Sequence, residues 1–157
     1  MAISQKFSEA VNRLYKPPED GIRQVIALSR QDAERLSRLP SVAVISITPP
    51  ERPPARLNGF DHILRLSFDD VDFLNPDLSM KARRRLVQVF TAEHAQAIWT
   101  FVDSLPAGVS SVVVHCEGGY SRSCAVALAI HRRYGYHAET KYLSLANPSV
   151  VQLMMEN

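Results

Sequence analysis

The sequence has little of what defines several common classes of protein. There are only two cysteines, Cys116 and Cys124, which is too few for a disulfide framework. No apolar run approaches the roughly 20 residues that a membrane-spanning helix requires, and residues 1–15 lack the apolar core of a secretory signal. A net charge of +2 is too small to indicate a nucleic-acid partner. We therefore expect a cytoplasmic protein with reduced thiols, whose partners include neither a membrane nor a nucleic acid.

Signatures of metal and nucleotide sites are also missing from the sequence. The chain has no HExxH, no paired CxxC and no GKS/T phosphate loop, so we expect neither a metal nor another cofactor. Its 157 residues, of which 46% are hydrophobic and 22% are charged, suit one globular domain spanning residues 1–157. The sequence does not specify the oligomeric state, and a monomer is compatible with it.

Apolar runs alternate with amphipathic segments along the chain, and this pattern predicts an α/β fold. Residues 1–20 are interpreted as an irregular or weakly helical start. Runs rich in β-branched and apolar residues predict strands at 25–28, 42–47, 63–68 and 111–115. Helices are predicted at 29–39 (opened by a capping box at Ser29), 91–105, 124–134, 138–145 and 148–155. One central, mainly parallel sheet flanked by helices accounts for this order.

The segment HCEGGYSRS, residues 115–123, is predicted to carry the chemistry. It joins a buried strand to a helix, and in such a turn the backbone N–H groups and the helix dipole together bind an oxyanion. Gly118 and Gly119 allow a sharp turn, and the planar fork of Arg122 suits two phosphate oxygens. The predicted phosphate-binding residues are Glu117, Gly118, Gly119, Tyr120, Ser121 and Arg122.

Cys116 begins this loop, so its sulfur is expected beneath the bound oxyanion. Amide dipoles, the helix N-terminus and a nearby guanidinium all favour the thiolate, which is the nucleophilic form of cysteine. Ser123 is expected to donate a hydrogen bond to the sulfur and to help it leave in a second step. His115 is predicted to order the loop through its ring nitrogens.

These residues resemble the signature of the cysteine-dependent protein-tyrosine phosphatases, in which His-Cys is followed by five residues, Arg and then Ser or Thr. The version here is most similar to the small dual-specificity branch and its short bacterial relatives. The resemblance covers about residues 110–135 and extends more loosely to 63–70, 91–105 and Asn147-Pro148. It implies a protein-tyrosine-phosphatase-like fold and a metal-free reaction through a phosphocysteine, with Cys116, Arg122 and Ser123 as catalytic residues.

The resemblance further implies a general acid on a loop after an upstream strand, because the departing oxygen needs a proton. The segment Phe68-Asp69-Asp70-Val71 occupies that position, and Asp70 matches the family's acid best. Asp69 and Asp72 remain alternatives. The stretch between Asp70 and Cys116 is longer than in typical dual-specificity enzymes, and residues 73–90 are interpreted as the insertion.

Other residues have a structural interpretation beside a functional one. Cys124 is interpreted as a small core residue, with a regulatory disulfide to Cys116 as the alternative. The cluster Arg83-Arg84-Arg85 is interpreted as a solvated face, with a docking rim for an anionic substrate as the alternative. Tyr120 is expected at the pocket entrance, and His94 is expected to be structural or exposed.

The leading functional hypothesis is a phosphatase that hydrolyses phosphotyrosine in proteins or peptides, with phosphoserine and phosphothreonine as further substrates. One alternative keeps the loop and changes the substrate to a phosphoinositide, a nucleotide or an RNA 5′ end. Glu117 would repel a highly charged head group, and the loop has no lysine to attract one. Another alternative is a phosphate-binding pseudoenzyme or interaction module, although Cys116 and Arg122 are both present.

Overall fold

The computed structural model describes residues 5–157, and its centre is a sheet of four parallel strands. The order across the sheet is β1-β4-β2-β3, so that β4 lies between β1 and β2. The strands are β1 (Gln24–Ser29), β2 (Val42–Thr48), β3 (Ile63–Ser67) and β4 (Ser111–Cys116). The predicted central parallel sheet flanked by helices is therefore confirmed, with each predicted strand present to within two residues.

The two central strands are buried on both faces. Every residue of β2 and β4 is buried, as expected for β-branched apolar runs in a parallel sheet that is covered on both sides. Val112 and Val114 pack into one core with α4, α5 and α6, whereas Val113 packs into a second core with α1 and α2. The α-helices of residues 5–157 are α1 (Phe7–Tyr15), α2 (Arg30–Arg35), α3 (Met80–Arg84), α4 (Ala92–Asp103), α5 (Arg122–Tyr134) and α6 (Pro148–Glu156).

Three helical predictions differ from the structure. Helix α2 ends at Arg35 rather than near residue 39, because Leu36 adopts an extended backbone with φ −67° and ψ 135°. Helix α1 is regular where an irregular or weakly helical start was predicted, since Ala10 and Leu14 bury its inner face; residues 1–4 of that prediction lie outside the described residues. The piece predicted at 138–145 is only a short 3₁₀ helix, Thr140–Leu143.

The insertion between the acidic turn and α4 lies on the surface. Of the predicted insertion, residues 73–90, only Phe90 is buried, and the stretch contains α3 and a 3₁₀ helix, Leu86–Gln88. Hydrogen bonds join it to the body: Asp69 N–H donates to the Gln88 carbonyl at 2.7 Å, Leu74 N–H donates to Ser149 Oγ at 3.0 Å, and Ser149 Oγ donates to Asp72. Within residues 5–157, the helices are all too short or too polar to cross a membrane.

Candidate active site

The candidate site is the loop that leaves the carboxyl end of β4 and turns into α5. Gly119 adopts a φ of +79°, a conformation that favours glycine. A Cβ on Gly119 would overlap the backbone of Leu28 and Ser29 at the end of β1. Gly119 is therefore required both by its backbone conformation and by the close approach of the neighbouring strand.

The Cys116 sulfur lies at the base of this loop. Its side chain is buried, the Gly119 N–H donates to Sγ at 3.3 Å, and Ser123 Oγ lies 3.1 Å from Sγ. The sulfur is therefore in contact with one backbone N–H group and one hydroxyl group. The structure thus brings together Cys116 and Ser123 as the sequence predicted.

The side chain of the N-cap residue of α5, Ser121, makes no hydrogen bond to the first turn of that helix. At α2, α3, α4 and α6 the N-cap side chain accepts a hydrogen bond from the first turn, but at α5 the N-cap Ser121 does not. The Ser121 hydroxyl instead donates to Asp70 Oδ1 at 2.8 Å. The amides at the start of α5 are consequently available to an anion, which the helix dipole also attracts.

The carbonyl groups of the loop are held from outside. Glu117 O accepts from the Arg30 N–H at 3.2 Å, and Ser121 O accepts from the Asn147 N–H at 3.2 Å. The Cys124 thiol donates to Gly119 O at 3.4 Å. With these carbonyls bonded to the surrounding protein, the loop is set up to present its N–H groups to a ligand.

The guanidinium of Arg122 is buried, and its N–H groups differ in whether they have a hydrogen-bond partner within the described residues. Its Nη1 donates to the Phe68 carbonyl at 2.9 Å, which ties the first residue of α5 to the end of β3. Its Nε is buried and has no hydrogen-bond partner among residues 5–157. An unpaired buried donor beside a cysteine loop is what an oxyanion ligand would satisfy.

His115 connects the base of the loop to β2. Its Nε2 lies 2.6 Å from Ser46 Oγ, and its Nδ1 lies 3.3 Å from the Cys116 carbonyl. Burial lowers the pKa of His115 below its usual value, so the imidazole is neutral at neutral pH. A neutral ring that donates from Nδ1 and accepts at Nε2 satisfies both contacts and orders the loop.

Glu117 does not face the candidate anion site as a free charge. Its Oε1 accepts from Arg30 Nη1 at 3.0 Å, and Arg30 also bonds Glu34 and the Pro54 carbonyl. Arg30 thus pairs with two carboxylates, Glu117 and Glu34, so one negative charge remains in this group and the expected repulsion of highly charged substrates stays a prediction. The sequence offered no signal for this role of Arg30, which depends on the tertiary approach of α2 to the loop.

The three candidate acids after β3 lie in different environments. Asp70 is exposed and accepts from Ser121 and from Asn147 Nδ2, the latter at 2.9 Å. Asp72 is bonded to Ser149, which holds it on α6 rather than on the loop. Of the three, Asp70 is bonded directly to a residue of the loop that follows Cys116.

Asp69 differs from Asp70 because it is buried. Desolvation by burial, together with the charge of Glu51, raises the pKa of Asp69, against the opposing charges of Arg85 and Arg122. A raised pKa suits a group that must carry a proton, but the hydrogen bonds that join the acidic turn to the loop are made by Asp70. Asp70 is therefore the carboxylate of the acidic turn that is hydrogen-bonded to the loop after Cys116.

The remaining predicted residues lie around this centre. Cys124 is buried, as a core residue should be, and burial raises its pKa to about 12. His94 is half-buried, stacks on Phe90 and accepts from the Thr91 N–H at 3.0 Å, so its role here is structural. Tyr120 is 56% exposed at the mouth of the loop. Among residues 5–157, no group of three or more His, Cys, Asp or Glu side chains is arranged to hold a metal ion.

No protein-family model and no curated protein matches the chain. A crystal structure of human DUSP28 is similar to it, with a TM-score of 0.43 and 16% sequence identity over 86% of this chain and 93% of that chain. A crystal structure of PTPMT1 is similar with a TM-score of 0.45 and 19% identity, over 86% of this chain and 91% of that chain. Both belong to the cysteine-dependent dual-specificity phosphatase family. At these identities and TM-scores, the function of the chain has to be inferred from the loop and its surroundings.

Proposed function

We propose that this chain is a phosphatase that hydrolyses phosphate monoesters through a phosphocysteine on Cys116. One observation carries the proposal. The Cys116 sulfur accepts from Gly119 N–H and lies 3.1 Å from Ser123 Oγ, in a loop that leads into the uncapped start of α5, where the buried Nε of Arg122 has no partner among residues 5–157. A nucleophile beneath donors of this kind is suited to attack on a bound phosphoryl group.

The proposed reaction has two steps. The Cys116 thiolate attacks phosphorus, the phosphorus–oxygen bond of the ester breaks, and Asp70 gives its proton to the departing oxygen. Water then attacks the phosphocysteine while Asp70 accepts a proton from it, and the phosphorus–sulfur bond breaks. Ser123, 3.1 Å from Sγ, stabilises the thiolate that leaves, and Arg122 stabilises the charge on the phosphoryl oxygens in both steps.

We propose phosphotyrosine in a protein or peptide as the main substrate, with phosphoserine and phosphothreonine as further substrates. The exposed ring of Tyr120 lies directly beside Gly118 at the mouth of the loop, where it offers an aromatic face to the ring of a phosphotyrosine. The nucleophile must stay reduced, so the cytoplasm is the proposed compartment.

Hydrolysis of p-nitrophenyl phosphate in the presence of a chelator tests the proposal. We expect turnover by the wild-type chain and none above background by Cys116→Ser, because serine is a far weaker nucleophile than a thiolate. Cys124→Ser is the matched control, since it removes the other thiol and keeps the nucleophile. Absence of turnover by the wild type, or full turnover by Cys116→Ser, would refute the phosphatase proposal.

Phosphopeptides test the substrate class in a second experiment. We expect release of phosphate from a phosphotyrosine peptide, and slower release from phosphoserine and phosphothreonine versions of the same peptide. Tyr120→Ala should raise KM for the phosphotyrosine peptide more than for phosphoserine, because only the aryl ester has a ring to stack. An active enzyme that ignores all three peptides would exclude the protein substrate while leaving the chemistry standing.

A further inference from the structure

Several large aliphatic side chains of the insertion are exposed. Residues 72–89 contain no buried side chain, yet Leu74 is 50% exposed, Met80 66%, Leu86 38% and Val87 88%. Single exposed aliphatic residues are common on protein surfaces, but several within one short segment indicate an interaction site.

The second half of the insertion is strongly basic. Residues 78–92 include no Asp or Glu, and they contain Lys81, Arg83, Arg84 and Arg85. All four cations are exposed, and none of them forms an ion pair with another residue in the described part of the chain. Residues 80–87, here termed the basic segment, therefore present unpaired positive charge and aliphatic side chains together.

We propose that the basic segment docks on the surface of an anionic lipid bilayer. An acidic polypeptide would pair with the arginines but leave Met80 and Val87 in water. An apolar protein groove would cover the aliphatic side chains but leave the cations without counter-charges. A bilayer offers anionic head groups above an apolar layer, so it satisfies both halves of the segment.

The position of the basic segment gives this docking a consequence for the candidate active site. The carbonyl of Gln88, next to the segment, accepts from the N–H of Asp69 at 2.7 Å, so the segment is joined to the acidic turn. Docking would hold the mouth of the loop near the membrane surface. The sequence-based expectation of no membrane partner rested on the lack of a membrane-spanning run, and surface docking needs no such run.

Co-sedimentation of the chain with vesicles tests the docking. Vesicles of phosphatidylcholine alone are compared with vesicles of equimolar phosphatidylcholine and phosphatidylglycerol. We expect binding to the anionic vesicles only, and weaker binding as salt screens the cations. The variant R83E/R84E should lower the affinity by about thirtyfold or more, since it removes two cations and adds two anions. The variant M80S/V87S should lower it by roughly tenfold.

Matched variants elsewhere on the surface serve as controls. K16E/R132E changes the net charge by the same amount as R83E/R84E, and I22S/M155S removes two exposed apolar side chains. Both controls should bind like the wild type. The proposal is overturned by a wild type that does not bind, by equal binding to both vesicles, or by controls that lose as much affinity as the segment variants. Unchanged binding of M80S/V87S would also overturn it, because the aliphatic half of the basic segment would then make no contact with the apolar layer.

Docking is separable from the phosphatase proposal, because neither requires the other. Vesicle binding is measured with Cys116→Ser as well as with the wild type, and the two should bind equally. The segment variants should retain the wild-type melting temperature, since the substituted side chains are exposed, and the wild-type rate on soluble p-nitrophenyl phosphate. Loss of binding with an unchanged rate then reports on the bilayer alone.

Discussion

The two cysteines show how strongly the surroundings of a residue determine its chemistry. Both are buried, but Cys116 Sγ accepts from Gly119 N–H and lies beside Ser123. The Cys124 thiol donates to two backbone carbonyls, those of Gly119 and Tyr142, and burial raises its pKa to about 12. Cys116 therefore lies where a backbone N–H of the loop reaches its sulfur, whereas the Cys124 sulfur faces backbone carbonyl oxygens.

The adjacent carboxylic acids Asp69 and Asp70 should respond differently to removal of their charge. Asp70→Asn should lower kcat on a phenyl phosphate by about 10²–10⁴-fold, the range for loss of a general acid, and much less on p-nitrophenyl phosphate, whose leaving group needs little protonation. Asp69→Asn should change both rates little. Steady-state kinetics on the two esters measure this, and the reverse pattern would make Asp69 the acid.

Asp69→Asn should also stabilise the fold at neutral pH. The pKa of Asp69 is higher in the folded than in the unfolded state, so ionisation of Asp69 lowers the free energy of unfolding. This destabilisation reaches its full size once the pH is above the folded-state pKa. Urea unfolding at neutral pH should therefore show a larger free energy of unfolding for the variant. The gain should vanish below the unfolded-state pKa of 3.8, and a gain that persists there would contradict the explanation.

His115 should make the stability of the fold depend on pH. Burial lowers its pKa in the folded state below the unfolded value of 6.5, so above 6.5 the ring is neutral in both states and stability is highest. As the pH falls below 6.5, the unfolded chain binds the proton first and the free energy of unfolding decreases. His115→Asn should flatten this decrease in urea titrations across that range. Part of the slope should remain, because burial lowers the pKa of His94 as well.

At the scale of elements, the turn from β4 into α5 depends on one glycine more than on the other. Gly119→Ala should destabilise the fold by more than about 1 kcal/mol and abolish turnover, because alanine disfavours a positive φ and its Cβ would overlap Ser29. Gly118→Ala is the matched control, since the atoms nearest to its Cβ belong to the exposed ring of Tyr120, which can move. Thermal melting and turnover measure both, and equal losses would contradict this account.

At the scale of the whole molecule, Asn147 joins the C-terminal helix to the acidic turn. Its Oδ1 caps α6, while its Nδ2 donates to Asp70 Oδ1 and to the Val71 carbonyl. Asn147→Ala should lower stability by about 1–2 kcal/mol and slow turnover of phenyl phosphate, because both the cap and the support of Asp70 are lost.

Asn147→Ser separates these two effects. Serine is a good N-cap but lacks the amide that reaches Asp70, so stability should be largely restored while the rate stays low. Melting temperature and kcat together measure this. Restoration of both would show that Asn147 acts only through the helix, and loss of neither in Asn147→Ala would refute the role altogether.

The order of strands and helices was predictable because local patterns determine it. Runs such as Val112-Val113-Val114 favour a buried strand in almost any context, and Thr91 and Gly135 mark helix ends through backbone groups close in sequence. The end of α2 was mispredicted because Leu36 leaves the helix without a local signal. Residues 73–90 were hard to predict because most of them are exposed, so no apolar periodicity marks the two short helices that they contain.

The sequence alone determined that a cysteine, two glycines and an arginine follow a buried strand and open a helix, because these residues are contiguous and local geometry governs them. Only the tertiary structure decided what surrounds them. Glu117 pairs with Arg30, 87 positions away, and His115 contacts Ser46, 69 positions away. Asp70 is supported by Ser121 and Asn147, which lie 51 and 77 positions away. Such contacts depend on how the strands are ordered in the sheet, which places segments distant in sequence at one edge, and no local pattern encodes that order.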